Sequence, residues 1–154
     1  MPHNKGFTLM ELVVAIAIVA IVVAIAIPGW LSWRDGVKVR GAASSLKADF
    51  ERAKLRAVRE NGNVCVLFTG NTTYQVFTDP NEDSVRDADE NMIANRTLPA
   101  GVTITNNTFS GNRVSFNSRG VPDGKAGTVT LTSTGGKRFD VVVSMFGRVR
   151  TERF

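Results

Sequence analysis

From Leu12 to Ile27 sixteen consecutive residues are apolar, and they follow directly on Lys5-Gly6-Phe7-Thr8-Leu9-Met10-Glu11. No other stretch constrains the fold as strongly. A helix from Phe7 to Ile27 rises roughly 30 Å, enough to cross a bilayer once. A secretory signal peptide has a shorter apolar region with a small-x-small cleavage site after it, whereas the processing point here precedes the apolar run. The segment therefore reads as an export signal that is trimmed and kept.

Glu11 is an acid one turn inside this segment. An ionised carboxylate at a helix centre in hydrocarbon costs on the order of 2.5 kcal/mol or more, so Glu11 either sits at headgroup level or has a partner. Pro28-Gly29 closes the apolar stretch, and a proline inside a long helix removes a backbone bond and predicts a kink or local melt. Trp30 and Trp33 follow at helical spacing, either at a membrane–water interface or packed on a folded head. Basic residues lie on both flanks, Lys5 on one and Arg34, Lys38 and Arg40 on the other, so charge alone does not set orientation.

The 154 residues leave one small domain beyond this stalk. Cys65 is the only cysteine, which excludes an internal disulfide, and Val64-Cys-Val-Leu-Phe68 reads as a buried strand with the thiol as a small core residue. His3, the only histidine, precedes the processing point, so the mature chain has none. No His-containing triad, Cys/His metal set or phosphate-binding glycine loop is visible, and Ser115, Ser118 and Ser144 have no base near them in sequence. The chain is not expected to be an enzyme.

Val37 to Glu60 continues as an amphipathic helix. Leu46, Phe50, Ala53, Ala57 and Val58 define the face expected to lie on a sheet. Lys47, Asp49, Glu51, Arg52, Lys54, Arg56 and Arg59 define a solvated face of alternating sign. Asn61-Gly62 is a C-terminal stop. Strands are predicted over 64–69, 73–78, 91–98, 102–105, 113–117, 128–133 and 137–144, separated by turn residues such as Gly70-Asn71, Ser110-Gly111-Asn112 and Gly135-Gly136. Thr128 to Ser133 alternates with period two, the mark of a sheet with one buried face. The predicted class is α+β, a long N-terminal helix packed on a C-terminal antiparallel sheet.

Two segments carry specific chemistry. Asp79, Asn81, Asp83, Asp87 and Glu90 fall at positions 1, 3, 5, 9 and 12 of an EF-hand-type loop, but Ser84 stands where such loops place the glycine of the sharp turn, and strands flank the segment. The preferred reading is a solvated acidic loop without a metal; were calcium to bind there, no affinity tighter than millimolar is expected. No other cofactor is expected. The second segment is the C-terminal tail, Phe146-Gly147-Arg148-Val149-Arg150-Thr-Glu-Arg153-Phe154. From Arg113 onward the chain has eight basic and three acidic residues, while its overall net charge is +5. In extended backbone Arg148 and Arg150 project to one side about 7 Å apart, comparable with the spacing of phosphates along a nucleic-acid strand. Gly147 permits a turn.

The N-terminal signal resembles that of type IV pilins and pseudopilins. The Ser115-Phe-Asn-Ser-Arg-Gly120 turn, the Tyr74-Gln-Val-Phe77-Thr-Asp79-Pro-Asn81 stretch and the closing Val-Val-Val-Ser-Met-Phe-Gly147-Arg148-Val149-Arg150 are similar to the FimT/GspH group of minor pilins. The resemblance implies that a prepilin peptidase cuts after Gly6 and methylates Phe7, and that Glu11 pairs with the Phe7 amine of a neighbouring subunit. It implies a bend or unwinding of the helix near Pro28 in filaments. The implied organisation is a leader over 1–6, a transmembrane and assembly helix over 7–29, an amphipathic continuation over 30–62 and a β-rich periplasmic head over 63–154. The subunit would wait in the bacterial inner membrane and enter a filament with other pilin or pseudopilin subunits. A Gly-Arg-x-Arg tail is associated in FimT-like subunits with binding double-stranded DNA for natural transformation. On that reading Arg148 and Arg150 contact phosphates, with Gly147 shaping the turn and Lys137, Arg138 and Arg153 assisting. The competing readings are a GspH-like pseudopilin of type II secretion and a structural or assembly-priming pilin without a ligand.

Overall fold

The computed structural model describes residues 6–123 and 126–153. The leader residues 1–5, with Lys5 and His3, lie outside the described residues, as do Lys125 and Phe154. The chain divides into an N-terminal unit ending at Arg34 and a compact unit Asp35–Phe154.

One helix, α1, runs from Leu9 to Glu60. Its start is a capping arrangement invisible to the apolar pattern. The Glu11 amide donates to Thr8 Oγ1 at 3.2 Å, and Glu11 Oε2 lies 3.5 Å from both the amide nitrogen and Oγ1 of Thr8. This reciprocal use of a threonine and a glutamate three residues apart satisfies donors that a helix start leaves free. Glu11 thus has a partner within its own chain. Of the kink or local melt expected at Pro28, the melt is absent: the helix continues through it unbroken. Proline removes one hydrogen bond, at a cost of about 3 kcal/mol, but turns on both sides are bonded and an unwound backbone in hydrocarbon would cost more. The helix is long and apolar enough near its N-terminus to cross a membrane. It stops as Asn61-Gly62 predicts: Asn61 has φ 52° and the Gly62 amide donates to the Ala57 carbonyl.

In the compact unit α1 buries Val39, Ala42, Ala43, Leu46, Asp49, Phe50, Ala53 and Ala57. Two expectations fail here. Val58 is exposed, because it is turned about 100° from Ala57 and so leaves the sheet-facing stripe. Asp49, placed by charge patterning on the solvated face, is 3% exposed. Its position between Leu46 and Ala53 lies within the apolar stripe, and its chemistry is satisfied locally, as described below.

Nine strands follow: β1 Val64–Phe68, β2 Thr73–Thr78, β3 Met92–Thr97, β4 Val102–Asn107, β5 Arg113–Phe116, β6 Pro122–Asp123, β7 Gly127–Ser133, β8 Arg138–Val143 and β9 Val149–Arg153. They form two antiparallel sheets rather than one, a five-stranded β3-β2-β1-β5-β6 and a four-stranded β4-β7-β8-β9. The seven strands read from sequence are all present; β6 and β9 were not among them. β9 escapes hydropathy because its alternation has only one buried residue, Val149, in five. The inner faces of the two sheets and the buried stripe of α1 share one hydrophobic core. Phe50 is its centre, making edge-on contacts with Phe68, Phe109 and Phe116 at ring separations of 6.1–6.3 Å. Cys65 is fully buried, and burial, reinforced by the Asp79 carboxylate, pushes its thiol up to about 12. It is a core residue, as expected.

Candidate nucleic-acid interface

The C-terminal arginines are positioned by a contact between two turns. Gly147, at φ 73°, lies so close to the Gly120 carbonyl that any side chain there would collide with it. The Gly147 carbonyl accepts a hydrogen bond from Lys54 Nζ of α1 at 3.0 Å, and Gly120 packs on Lys54 and Val58. The turn after β8 is thereby clamped to the turn after β5 and to the helix. Asn117 Oδ1 holds that second turn, accepting from the amides of Arg119 and Val121. Ser144 closes the first, accepting from the Arg148 amide at 3.1 Å. Exposed Arg148 and exposed Arg119 consequently flank one turn–turn junction, and neither has an ion-pair partner among the described residues.

The remaining basic candidates do not gather there. Arg150, the second residue of the edge strand β9, has its Nε 2.7 Å from Glu152 Oε1. Both partners are half exposed, so this pair contributes only about 0–1 kcal/mol and can exchange for a phosphate. Arg153 projects to the opposite face of β9. Lys137 and Arg138 stand at the other end of β8, roughly 20 Å from Arg148 along the strands, beside the turn where Gly135 lies against Asp35 of α1. Asp140, Arg150 and Glu152 share one outer face across β8 and β9, so basic and acidic groups alternate on it. The fold thus spreads Arg148, Arg150, Lys137, Arg138 and Arg153 along β8 and β9 rather than gathering them at one point. The sequence clustered these residues in number, whereas the antiparallel register spreads them along two strands. Arg119, missed by tail-centred reasoning, sits in the turn that Gly147 packs against; its signal lay in the Ser115–Gly120 turn.

Two other polar clusters are built on buried carboxylates, Asp49 in one and Asp79 with Glu90 in the other. Asp49 Oδ2 accepts from the Tyr74 hydroxyl at 2.9 Å and from Arg96 Nε at 3.1 Å, while Oδ1 lies 3.4 Å from Arg52. Burial and the Asp49 hydrogen bond raise the Tyr74 hydroxyl well above its ordinary value, and Asp49 raises the Arg96 guanidinium as well. The cluster ties α1 to β2 and β3. The second cluster is the β2–β3 loop. It is not the uniformly solvated acidic loop expected, since Asp79 and Glu90 are buried, whereas Asn81, Asp83 and Asp87 are exposed. At the other end of the chain Gly6 and Phe7, the expected processing residues, are exposed.

A long apolar helix carrying this β head is the architecture of type IV pilin-like proteins, and the comparisons agree. Residues 42–147 match the family described as type II transport protein GspH, and residues 1–27 match the prokaryotic N-terminal methylation motif. The chain is 32% identical over 162 residues to the pilin-like protein PilA1 of Thermus thermophilus, across 97% of this chain and 99% of that protein. It is 42% identical over 53 residues to the type IV major pilin protein PilA of Myxococcus xanthus, across 34% of this chain and 24% of that protein. The type IV minor pilin FimU of Pseudomonas aeruginosa has a similar fold, with a TM-score of 0.61 at 15% identity over 73% of this chain and 91% of that one. The minor pseudopilin EpsH from the type 2 secretion system of Vibrio cholerae gives a TM-score of 0.60 at 12% identity over 75% of this chain and 97% of that one. The protein belongs to the GspH family of minor pilins and pseudopilins.

Proposed function

We propose that this subunit is a minor type IV pilin that captures extracellular double-stranded DNA through phosphate contacts, for uptake in natural transformation. What supports the reading is the Gly147–Gly120 junction, which sets the turn before Arg148 against the turn carrying Arg119, with both arginines exposed and without acidic ion-pair partners among the described residues. Arg150 extends the row along the edge strand once Glu152 releases it. Contacts of this kind are largely independent of base sequence and fall with salt as counterions are released.

The test is binding of the Asp35–Phe154 unit to random-sequence duplex DNA over a salt series. Arg148→Gln with Arg150→Gln should remove about two phosphate contacts and lower the log–log salt slope by roughly 1.8. Glu152→Gln should tighten binding about two- to five-fold by freeing Arg150. Lys137→Gln with Arg138→Gln, at the other end of β8, should leave the slope nearly unchanged. A wild-type unit that fails to shift DNA at low salt would remove the proposal. The alternating charges on the outer face of β8 and β9 favour a second reading, in which that face meets another subunit of a secretion pseudopilus. Genes of a secretion machine beside this one would support it.

Assembly is the second part of the proposal. We infer that the prepilin peptidase releases Phe7 as a methylated N-terminus and that Glu11 exchanges its Thr8 contacts for the Phe7 amine of the next subunit, with the head in the periplasm until assembly. Glu11→Val should leave the protein in the membrane with an intact mass starting at Phe7, yet incorporated into filaments at a small fraction of the wild-type level. Filaments containing the variant at wild-type occupancy would show the register pair to be dispensable.

A further inference from the structure

We propose that the loop between β2 and β3 is a calcium site in which Asp79, Asp83 and Glu90 supply the carboxylate ligands. One oxygen from each of the three lies within 4.8 Å of the others. Calcium binds oxygen at 2.3–2.6 Å, so oxygens on opposite sides of one ion stand about 4.6–5.2 Å apart and the cluster can close on it. Magnesium, at 2.0–2.1 Å with near-ideal octahedral demands, fits a cluster this open less well. The donors are all carboxylate oxygens, the chemistry of a hard cation rather than zinc or copper.

Proximity of acids would mean little without a second observation, and the buried atoms provide it. Asp79 is fully buried and Glu90 is 6% exposed, yet Asp79 Oδ1 and Glu90 Oε1 have no hydrogen-bond partner. Their other oxygens are used, Asp79 Oδ2 by the Ser84 amide at 3.1 Å and Glu90 Oε2 by the Asp87 amide at 2.9 Å. Asp79 and Glu90 are thus each held by one hydrogen bond and keep a second, buried oxygen unpartnered, whereas exposed Asp83 accepts at both oxygens, from Asn81 and from the Val85 amide. None of the three is ion-paired with an arginine or lysine among the described residues. A buried carboxylate with an idle oxygen and no cation is costly, and a bound divalent cation would remove that cost.

The objection raised by Ser84 disappears in the structure. Ser84 stands sixth in the loop and adopts φ 57°, the left-handed turn for which glycine is otherwise used. Its amide bond to Asp79 and its burial hold that conformation. Asn81 Nδ2 bridges Asp83 and Asp87 at 3.1 Å each, which fixes Asp83 in place while its oxygens keep lone pairs for the ion.

The experiment is calcium titration of the full chain in detergent micelles after EDTA treatment, followed by calorimetry and by thermal melting, with magnesium as comparator. One calcium per chain is expected, with half-saturation at about 0.1–1 mM, the range of extracellular modules. Melting in 10 mM calcium should exceed that in EDTA by roughly 3–10 °C. Asp79→Asn and Glu90→Gln should each abolish both effects, while Asp89→Asn, an exposed acid of the same loop, should retain them. Absence of binding at 10 mM, an equal response to magnesium, or unchanged calcium binding in both variants would overturn the proposal. Hydrogen exchange on the wild type provides a readout independent of variant folding: calcium should slow exchange of the Ser84, Val85 and Asp87 amides. Unaltered exchange at those amides would equally overturn it.

Discussion

Phe50→Ala is expected to lower the stability of the Asp35–Phe154 unit by about 3–5 kcal/mol, the usual cost of emptying a fully buried phenylalanine site. Phe50 has no exposed surface and joins aromatic rings from the five-stranded sheet, Phe68 and Phe116, to Phe109 on the segment between β4 and β5. Those rings belong to different elements and cannot all collapse into the void together. A fall of roughly 10–20 °C in melting temperature follows. Phe50→Leu, which keeps most of the volume, should cost much less. If the alanine variant melts within a few degrees of wild type, the aromatic cluster is not the centre of the core.

Gly147→Ala should have the second largest effect, and it should reach binding as well as folding. A left-handed backbone costs a non-glycine residue about 1–2 kcal/mol. The added methyl would also meet the Gly120 carbonyl, forcing the two turns apart at a further cost of about 1–3 kcal/mol. Gly136 is the control, with φ 77° and open space where a Cβ would stand. Gly136→Ala should therefore incur only the backbone cost, and urea unfolding of the two variants separates collision from strain. Because Arg148 follows Gly147 directly, Gly147→Ala should also weaken DNA binding with both arginines intact. Equal destabilisation by the two substitutions would show that the turns are not held against each other.

Much of the architecture was legible because it depends on local pattern. The uninterrupted apolar run specifies a helix of membrane length, and the spacing of Leu46, Phe50, Ala53 and Ala57 specifies which side of its continuation is buried. Thr8 and Glu11 carry a capping signature at the helix start that reasoning about the charge of Glu11 alone overlooked. Asp49 was misread because side-chain charge usually means exposure. Its place in the buried stripe depends on Tyr74 and Arg96, which are distant in sequence and could not be assigned to it from spacing.

The sites divide along the same line. Acidic residues at loop positions 1, 5 and 12 were readable from spacing, but the two idle, buried oxygens that distinguish a cation site from a solvated loop exist only after β2 and β3 close around them. The basic tail was likewise readable as composition. Its distribution was not, because antiparallel pairing of β8 with β9 sends Arg138 and Arg148 to opposite ends, while the clamp of Gly147 on Gly120 brings Arg119 in from another turn. The sequence by itself determined the membrane-length helix, seven of the nine strand segments and the residue types available for chemistry, since these follow from periodicity and covalent preference within a few turns. Only the tertiary structure decided that there are two sheets, which carboxylates are buried and which arginines are neighbours, because those depend on contacts between residues far apart in the chain.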